Sequence, residues 1–80
     1  PDVMWRLMKA AVNGDKIVLI GVSSLSNEAQ RARYGEIYAS KLRAKLLQVG
    51  FPQDTVVLGE RHSVLANKPG VRITVSKEEV

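Results

Sequence analysis

Arg43 stands in the segment Ser40-Lys41-Leu42-Arg43-Ala44, late in a stretch of helical periodicity, and is followed by Gly50, a short apolar run, Gly59-Glu60 and an Arg72-bearing run. A guanidinium held in such a frame suits a carboxylate, which it grips through two parallel N–H bonds where lysine offers a point charge. The same side chain has a structural use: its stem covers apolar surface and its head pairs with Glu36 or Glu60. Glu36, Ser40 and Arg43 lie three or four residues apart on one side of the helix, so an intrahelical pair is within reach. On sequence, both uses stay open. His62 beside Ser63 places a base next to a hydroxyl, but nucleophilic catalysis needs the base oriented by a third group, and nothing fixes this pair relative to Ser23 or Ser24. With one histidine, no cysteine and no acidic cluster, the chain lacks the donor set of a transition-metal site. Gly59 and Gly70 are isolated turn formers and make no phosphate-cradling loop. The expectation is a chain that is not an enzyme and needs no cofactor.

These groups must be positioned by a small set of elements. Eighty residues make one domain, 1–80, which buries only roughly 60% of the surface its unfolded form exposes. A composition of 45% hydrophobic and 25% charged residues is that of a folded chain. Asp2 reads as an N-cap, and Val3, Met4, Leu7, Met8, Ala11 and Val12 recur at helical spacing until Asn13-Gly14. Trp5 and Met8 are expected in the core, since a helix facing a sheet needs bulky apolar residues. Lys16 to Val22 is β-branched and apolar, as in a central strand covered on both faces. Ser26 or Asn27 caps a long helix running to about Val49, with Ala39, Leu42, Leu46 and Val49 inward, Tyr38 at the margin, and Arg33, Lys41 and Lys45 in solvent. Gly35 is expected to weaken or bend that helix, and Gly50 and Pro52 to end it. Thr55 to Leu58 is a second strand, residues 59–70 a turn-rich connection, and Val71 to Val75 a third strand with Val71, Ile73 and Val75 on one face. The tail from Ser76 reads as frayed. The expected class is α/β (α+β): a two-layer sandwich of two helices on a small mixed sheet, in the order α-β-α-β-β. The longest apolar run, Ile17 to Val22, is too short to span a bilayer. A start at Pro1-Asp2 lacks the marks of a signal peptide and reads as an excised piece of a longer chain.

Several of these segments, in this order, resemble the OmpA-like domain, the peptidoglycan-associating module of outer-membrane porins, the Pal lipoprotein and flagellar stator proteins. Ala39-Ser40-Lys41-Leu42-Arg43-Ala44 is similar to that family's Leu-Ser-x-x-Arg-Ala helix, with alanine in the leucine place. Gly50-Phe51-Pro52-Gln53-Asp54 resembles its glycine and short capped turn, Leu58-Gly59-Glu60 its Gly-Glu step, and Val71-Arg72-Ile73 its last strand. The resemblance implies that Arg43 holds the carboxylate of a peptidoglycan stem peptide, with Ser40 in the same motif and Ser23, Ser24 and backbone donors after Gly21 completing the pocket. The family's aspartate after the glycine-containing strand is missing: Gly21-Val22-Ser23-Ser24 offers serines, and the nearest acid is Glu28. An unpaired amine then weakens cell-wall binding by roughly 1.5 to 3 kcal/mol, the worth of a charge-assisted hydrogen bond. The family also begins with a strand before its first helix, whereas this chain opens helix-like, and the open edge so left would invite pairing with another segment.

The expectation drawn from the resemblance is a non-catalytic module of the bacterial periplasm or cell envelope. It would tether to peptidoglycan or, as the missing acid favours, dock on an envelope protein in a pilus, secretion or motor complex. The alternative is a small basic α/β domain that binds nucleic acid, for which the net charge of +4 and Arg31, Arg33, Lys41, Arg43, Lys45, Arg61, Lys68 and Arg72 give grounds. Against it, the strands carry no aromatic residue for stacking bases.

Overall fold

A computed structural model describes residues 2–77. In chain order the elements are α1 (Asp2–Val12), β1 (Lys16–Ser23), α2 (Glu28–Gln48), β2 (Val56–Leu58), β3 (Val64–Leu65) and β4 (Gly70–Ser76). The class is α+β, with two helices on a small mixed sheet of four strands. The short β3 was not expected. Of the tail read as frayed, Ser76 closes β4, and residues 78–80 lie outside the described residues.

Both helices stop for the same physical reason. In α2, the Phe51 N–H donates to the Leu46 carbonyl at 3.0 Å and the Gly50 N–H to the Leu47 carbonyl at 3.1 Å, a paired closure of orphan carbonyls that needs Gly50 at a φ of 115°. The α1 terminus repeats it: Asp15 donates to Ala10, Gly14 to Ala11, and Gly14 has a φ of 79°. At its start, α2 is capped by Asn27, whose Oδ1 accepts from the Gln30 N–H at 3.0 Å.

β1 is the centre of the sheet. It pairs antiparallel with β4 along its length, from Lys16↔Ser76 to Val22↔Gly70, and parallel with β2 (Ile17↔Val56) and β3 (Val22↔Val64). A strand has two edges, so β2 and β3 share the one opposite β4, lying end to end with residues 59–63 between them. In that gap His62, 8% exposed, offers its Nδ1 to the Gly21 N–H at 3.0 Å. The imidazole stands in for a strand carbonyl where the backbone has left the ladder, which keeps a buried donor satisfied.

One face of the sheet carries Ile17, Leu19 and Gly21 with their partners Val75, Ile73 and Val71, and both helices lie on it. The core gathers Leu7, Ala10, Ile17, Leu19, Ala39, Leu46 and Val56, with Leu42, Phe51 and Leu58 against it. The expected helix cover on both faces of β1 is not found among the described residues. Val18 and Ile20, on the other face, are half-buried by Val57, Gly59 and each other and have no helix above them.

The inward stripe of α2 runs Gly35, Ala39, Leu42, Leu46, small at one end and large at the other. The helix therefore lies hard against β1 at its carboxyl end and stands off at its start. A Cβ built on Gly21 would meet the Gly35 carbonyl oxygen at 1.7 Å, and one on Gly35 would meet the His62 carbonyl oxygen at 2.2 Å. Gly35 is thus a contact point between backbones and not the helix weakness its type suggested. Val49, expected inward, is 65% exposed, because the closing turn at Gly50 carries it past the end of the core.

Candidate functional site

Arg43 is committed to the backbone. Its Nε donates to the Val56 carbonyl at 2.7 Å and its NH2 to the Gln53 carbonyl at 3.1 Å, so the fork ties the last third of α2 to the turn that leads into β2. Val56 sits opposite Ile17, at the start of β1, while Ser23 and Ser24 lie at and beyond its end. Six residues of strand separate the two places, roughly 20 Å at about 3.3 Å per residue. The pocket expected from Arg43, Ser23, Ser24, Ser40 and Glu28 is therefore not assembled. Glu28 is exposed in the first turn of α2, Ser40 is exposed on its flank, and Arg43 is at the far end of the sheet from the serines. The physical reason is length: α2 runs antiparallel to β1, and only its first half overlies the strand's carboxyl end.

What gathers there is a different set. Ser23, 2% exposed, accepts from the Leu25 N–H through Oγ at 3.4 Å. With Ser24, Gln30, Tyr34, Tyr38 and Pro69 it borders a concavity of about 320 Å³. Its hydrogen-bonding side chains are all neutral, hydroxyls and one amide, so it provides no counter-charge for a zwitterion and no carboxylate or imidazole for proton transfer. Gln30, Tyr34 and Tyr38 are the α2 side chains that reach it, and the last of them lies five residues before Arg43. The rings of Tyr34 and Tyr38 lie 6.5 Å apart, tilted by 31°.

Arg31, which in sequence counted only toward a basic surface for nucleic acid, is a structural tie. Its Nε donates to the Ser63 carbonyl at 2.6 Å, and its NH1 to the Leu25 and Ser26 carbonyls at 2.8 and 3.2 Å. One guanidinium thereby clips the loop after β1 to the strand break before β3. His62 and Ser63 are both held in this structural work, His62 through Gly21 and Ser63 through Arg31. Among the described residues there is no group of three or more metal-ligating side chains, and no helix is long and apolar enough to cross a membrane.

The larger departure from expectation is on α1. At 100° per residue its apolar side chains span an arc of roughly 200°, from Val3 round through Leu7, Ala11, Met4, Met8 and Val12 to Trp5. Only Leu7 and Ala10 are buried. Trp5 is 63% exposed, Met8 51% and Val12 85%, so Trp5 and Met8 are not core residues. The sheet beneath is too narrow to cover more than one side of the helix. The uncovered side forms a groove of about 360 Å³ in which Met4, Met8 and Val12 face Val49, Phe51 and Pro52 of the α2 terminus.

A scan against protein-family models, a search of curated proteins and a search of solved structures each gave no match to this chain.

Proposed function

We propose that this chain is a non-catalytic docking module that seats the apolar face of an amphipathic helix from another protein in the groove between α1 and the α2 terminus. The observation that carries the reading is the uncovered apolar side of α1. The exposed parts of Met4, Trp5, Met8, Val12 and Val49 amount to on the order of 500 Å², at the upper end of what a monomer usually leaves in one patch and enough for the centre of an interface that covers about 800 Å² per partner. Methionines adapt their shape to an incoming apolar surface, and a helix laid into a groove is a common way of presenting one. Lys9 and Lys45 are exposed in the last turns of the two helices that form the groove, which favours a partner helix with acidic flanks.

The similarity of several segments to the OmpA-like domain supports seeking that partner in a bacterial envelope assembly, such as a pilus, secretion or motor complex. Stem-peptide binding through Arg43 has less support, since that guanidinium serves two backbone carbonyls and the concavity at the other end of the sheet offers no charged side chain.

The test is photo-crosslinking in the cells that make the protein, with the reactive group placed in turn at Met8, Val12 and the solvent-facing Arg33. One discrete protein adduct is expected from the first two positions and none from the third. The adduct at Val12 should vanish in a Met8→Gln background, whose melting temperature should stay within a few degrees because the side chain is already half exposed. Absence of an adduct from α1, together with Arg43-dependent sedimentation on purified cell wall, would replace docking by tethering.

A further inference from the structure

The far edge of β4 is unpaired among the described residues, and hydrogen bonds elsewhere in the sheet fix which of its groups face outward. On β1, the Ile17 N–H donates to Thr55, the Leu19 carbonyl accepts from Gly59, the Gly21 N–H donates to His62 and the Ser23 carbonyl accepts from Ala66. The odd-numbered residues of β1 thus address the β2 and β3 side, which leaves Lys16, Val18, Ile20 and Val22 to bond with β4. In an antiparallel ladder directly opposed residues exchange bonds in alternate pairs, so Ser76, Thr74, Arg72 and Gly70 face β1. The N–H and C=O groups of Val71, Ile73 and Val75 therefore point out of the free edge.

The side chains of the same three residues are on the face that carries the helices, Val71 and Ile73 half-buried and Val75 44% exposed. With Val3, Arg6 and Leu7 they border a slot of about 230 Å³ that runs along the edge. Backbone donors and acceptors thus stand beside an apolar slot on one strand, the two components of recognition by strand addition. β4 is seven residues long and holds neither lysine nor proline, so of the usual devices that blunt an edge it carries only the single charge of Arg72.

Charge selects the kind of strand. Arg72 is exposed on the open face of the sheet, Lys68 and Lys77 are exposed beyond the two ends of β4, and Arg6 lies at the slot. Within Gly70–Ser76 there is no acid. An added strand places its alternate side chains in the slot and those between them beside Arg72, where an opposite charge directly across stabilises the pairing.

From these observations we infer that β4 receives an extended strand of a partner polypeptide, apolar at every second residue to fill the slot under α1 and acidic at the residues between. This surface is separate from the helix groove, so either can fail without the other.

The probe is an end-blocked nine-residue peptide alternating valine or isoleucine with glutamate, titrated by fluorescence anisotropy and followed by amide hydrogen exchange. Saturable binding is expected, with exchange slowed at the amides of Val71, Ile73 and Val75 and unchanged at Arg72 and Thr74, which already bond to β1. Methylating the peptide nitrogens that face β4 should weaken binding about tenfold or more, since lost strand bonds of this kind are worth at least one such factor. Val75→Pro removes one outward N–H without touching the β1 ladder and should weaken binding similarly, while Met8→Gln should leave it unchanged. If Val75→Pro melts early, the exchange pattern of the unaltered protein decides alone. The inference is overturned by no saturable binding, by equal binding of the methylated or a sequence-scrambled peptide, or by protection that does not follow the alternation. Protection of the same three amides in a concentration-dependent dimer without peptide would overturn the choice of occupant, making it a second copy.

Discussion

Replacing Gly35 by alanine separates two accounts of α2 by sign. If Gly35 were a flaw in an exposed helix, alanine would stabilise the protein by about 1 kcal/mol, the difference between the two residues in a helix interior. The packing requires the reverse. A Cβ at this position would stand 2.2 Å from the His62 carbonyl oxygen and 3.0 Å from that of Gly21, both backbone atoms that cannot rotate aside. Restoring an ordinary contact of about 3.4 Å means moving α2 away from the strand break by about 1.2 Å. That movement strains the Arg31 clip and the bond from Gly21 to His62, which are anchored to the same two elements.

Overpacking of this kind costs about 1 to 3 kcal/mol, and a buried N–H left without its partner about 1 to 3 kcal/mol more. After the helix gain of about 1 kcal/mol is subtracted, the expected net destabilisation is about 1 to 5 kcal/mol. For a domain of this size each kcal/mol lowers the melting temperature by about 4 to 8 °C, so a fall of about 10 °C or more is the central expectation. Urea unfolding followed by circular dichroism, with the slope held common to both proteins, gives the free-energy difference directly. An unchanged or raised midpoint would refute the backbone contact between α2 and β1. Gly21→Ala should be worse, because its Cβ would lie 1.7 Å from the Gly35 oxygen.

Two further substitutions test the hydrogen-bonded anchors by the same denaturation assay. Arg43→Met, which keeps the apolar stem and removes both bonds to the Val56 and Gln53 carbonyls, should cost about 1.5 to 3 kcal/mol; no loss of stability would return the guanidinium to a binding role. His62→Leu should cost about 1 to 3 kcal/mol by leaving the Gly21 N–H unsatisfied, and His62→Gln, which restores an acceptor, should recover part of that loss, whereas equal effects of the two would point to lost volume alone.

Much of the architecture was legible because local physics sets it. The glycines at 14 and 50, the Asn27 cap and the alternation of Val71, Ile73 and Val75 each act within a few residues, and they delimit α1, α2 and β4 nearly where the structure has them. The short β3 and the His62 bridge were not legible, since two residues carry no periodicity and an imidazole acting as a strand acceptor leaves no pattern in sequence. α1 misled for a related reason: hydrophobicity at helical spacing gives the width of an apolar face but not how much of it the rest of the chain can cover. A sheet centred on one long strand covers only the side bearing Leu7 and Ala10.

The placement of Arg43 follows from chain topology alone. A connection from β1 through α2 to a parallel β2 makes the helix run back along the strand, so the end of α2 must lie near the start of β1. From Ile17 to Ser23 is roughly 20 Å of strand, which about 13 residues of helix cover at 1.5 Å each. Counting back 13 from Gln48 gives residue 35, where the structure has Gly35 against Gly21. Any side chain of α2 that is to act at the carboxyl end of β1 must therefore come from the turns around residues 30 to 38, and Gln30, Tyr34 and Tyr38 are the ones that border the concavity. Arg43 is five residues too late, by about 7 Å of helix rise, to serve anything but the start of the sheet. Motif order survives such a displacement while the chemistry does not, because a carboxylate grip depends on where the guanidinium ends up and not on which residues precede it.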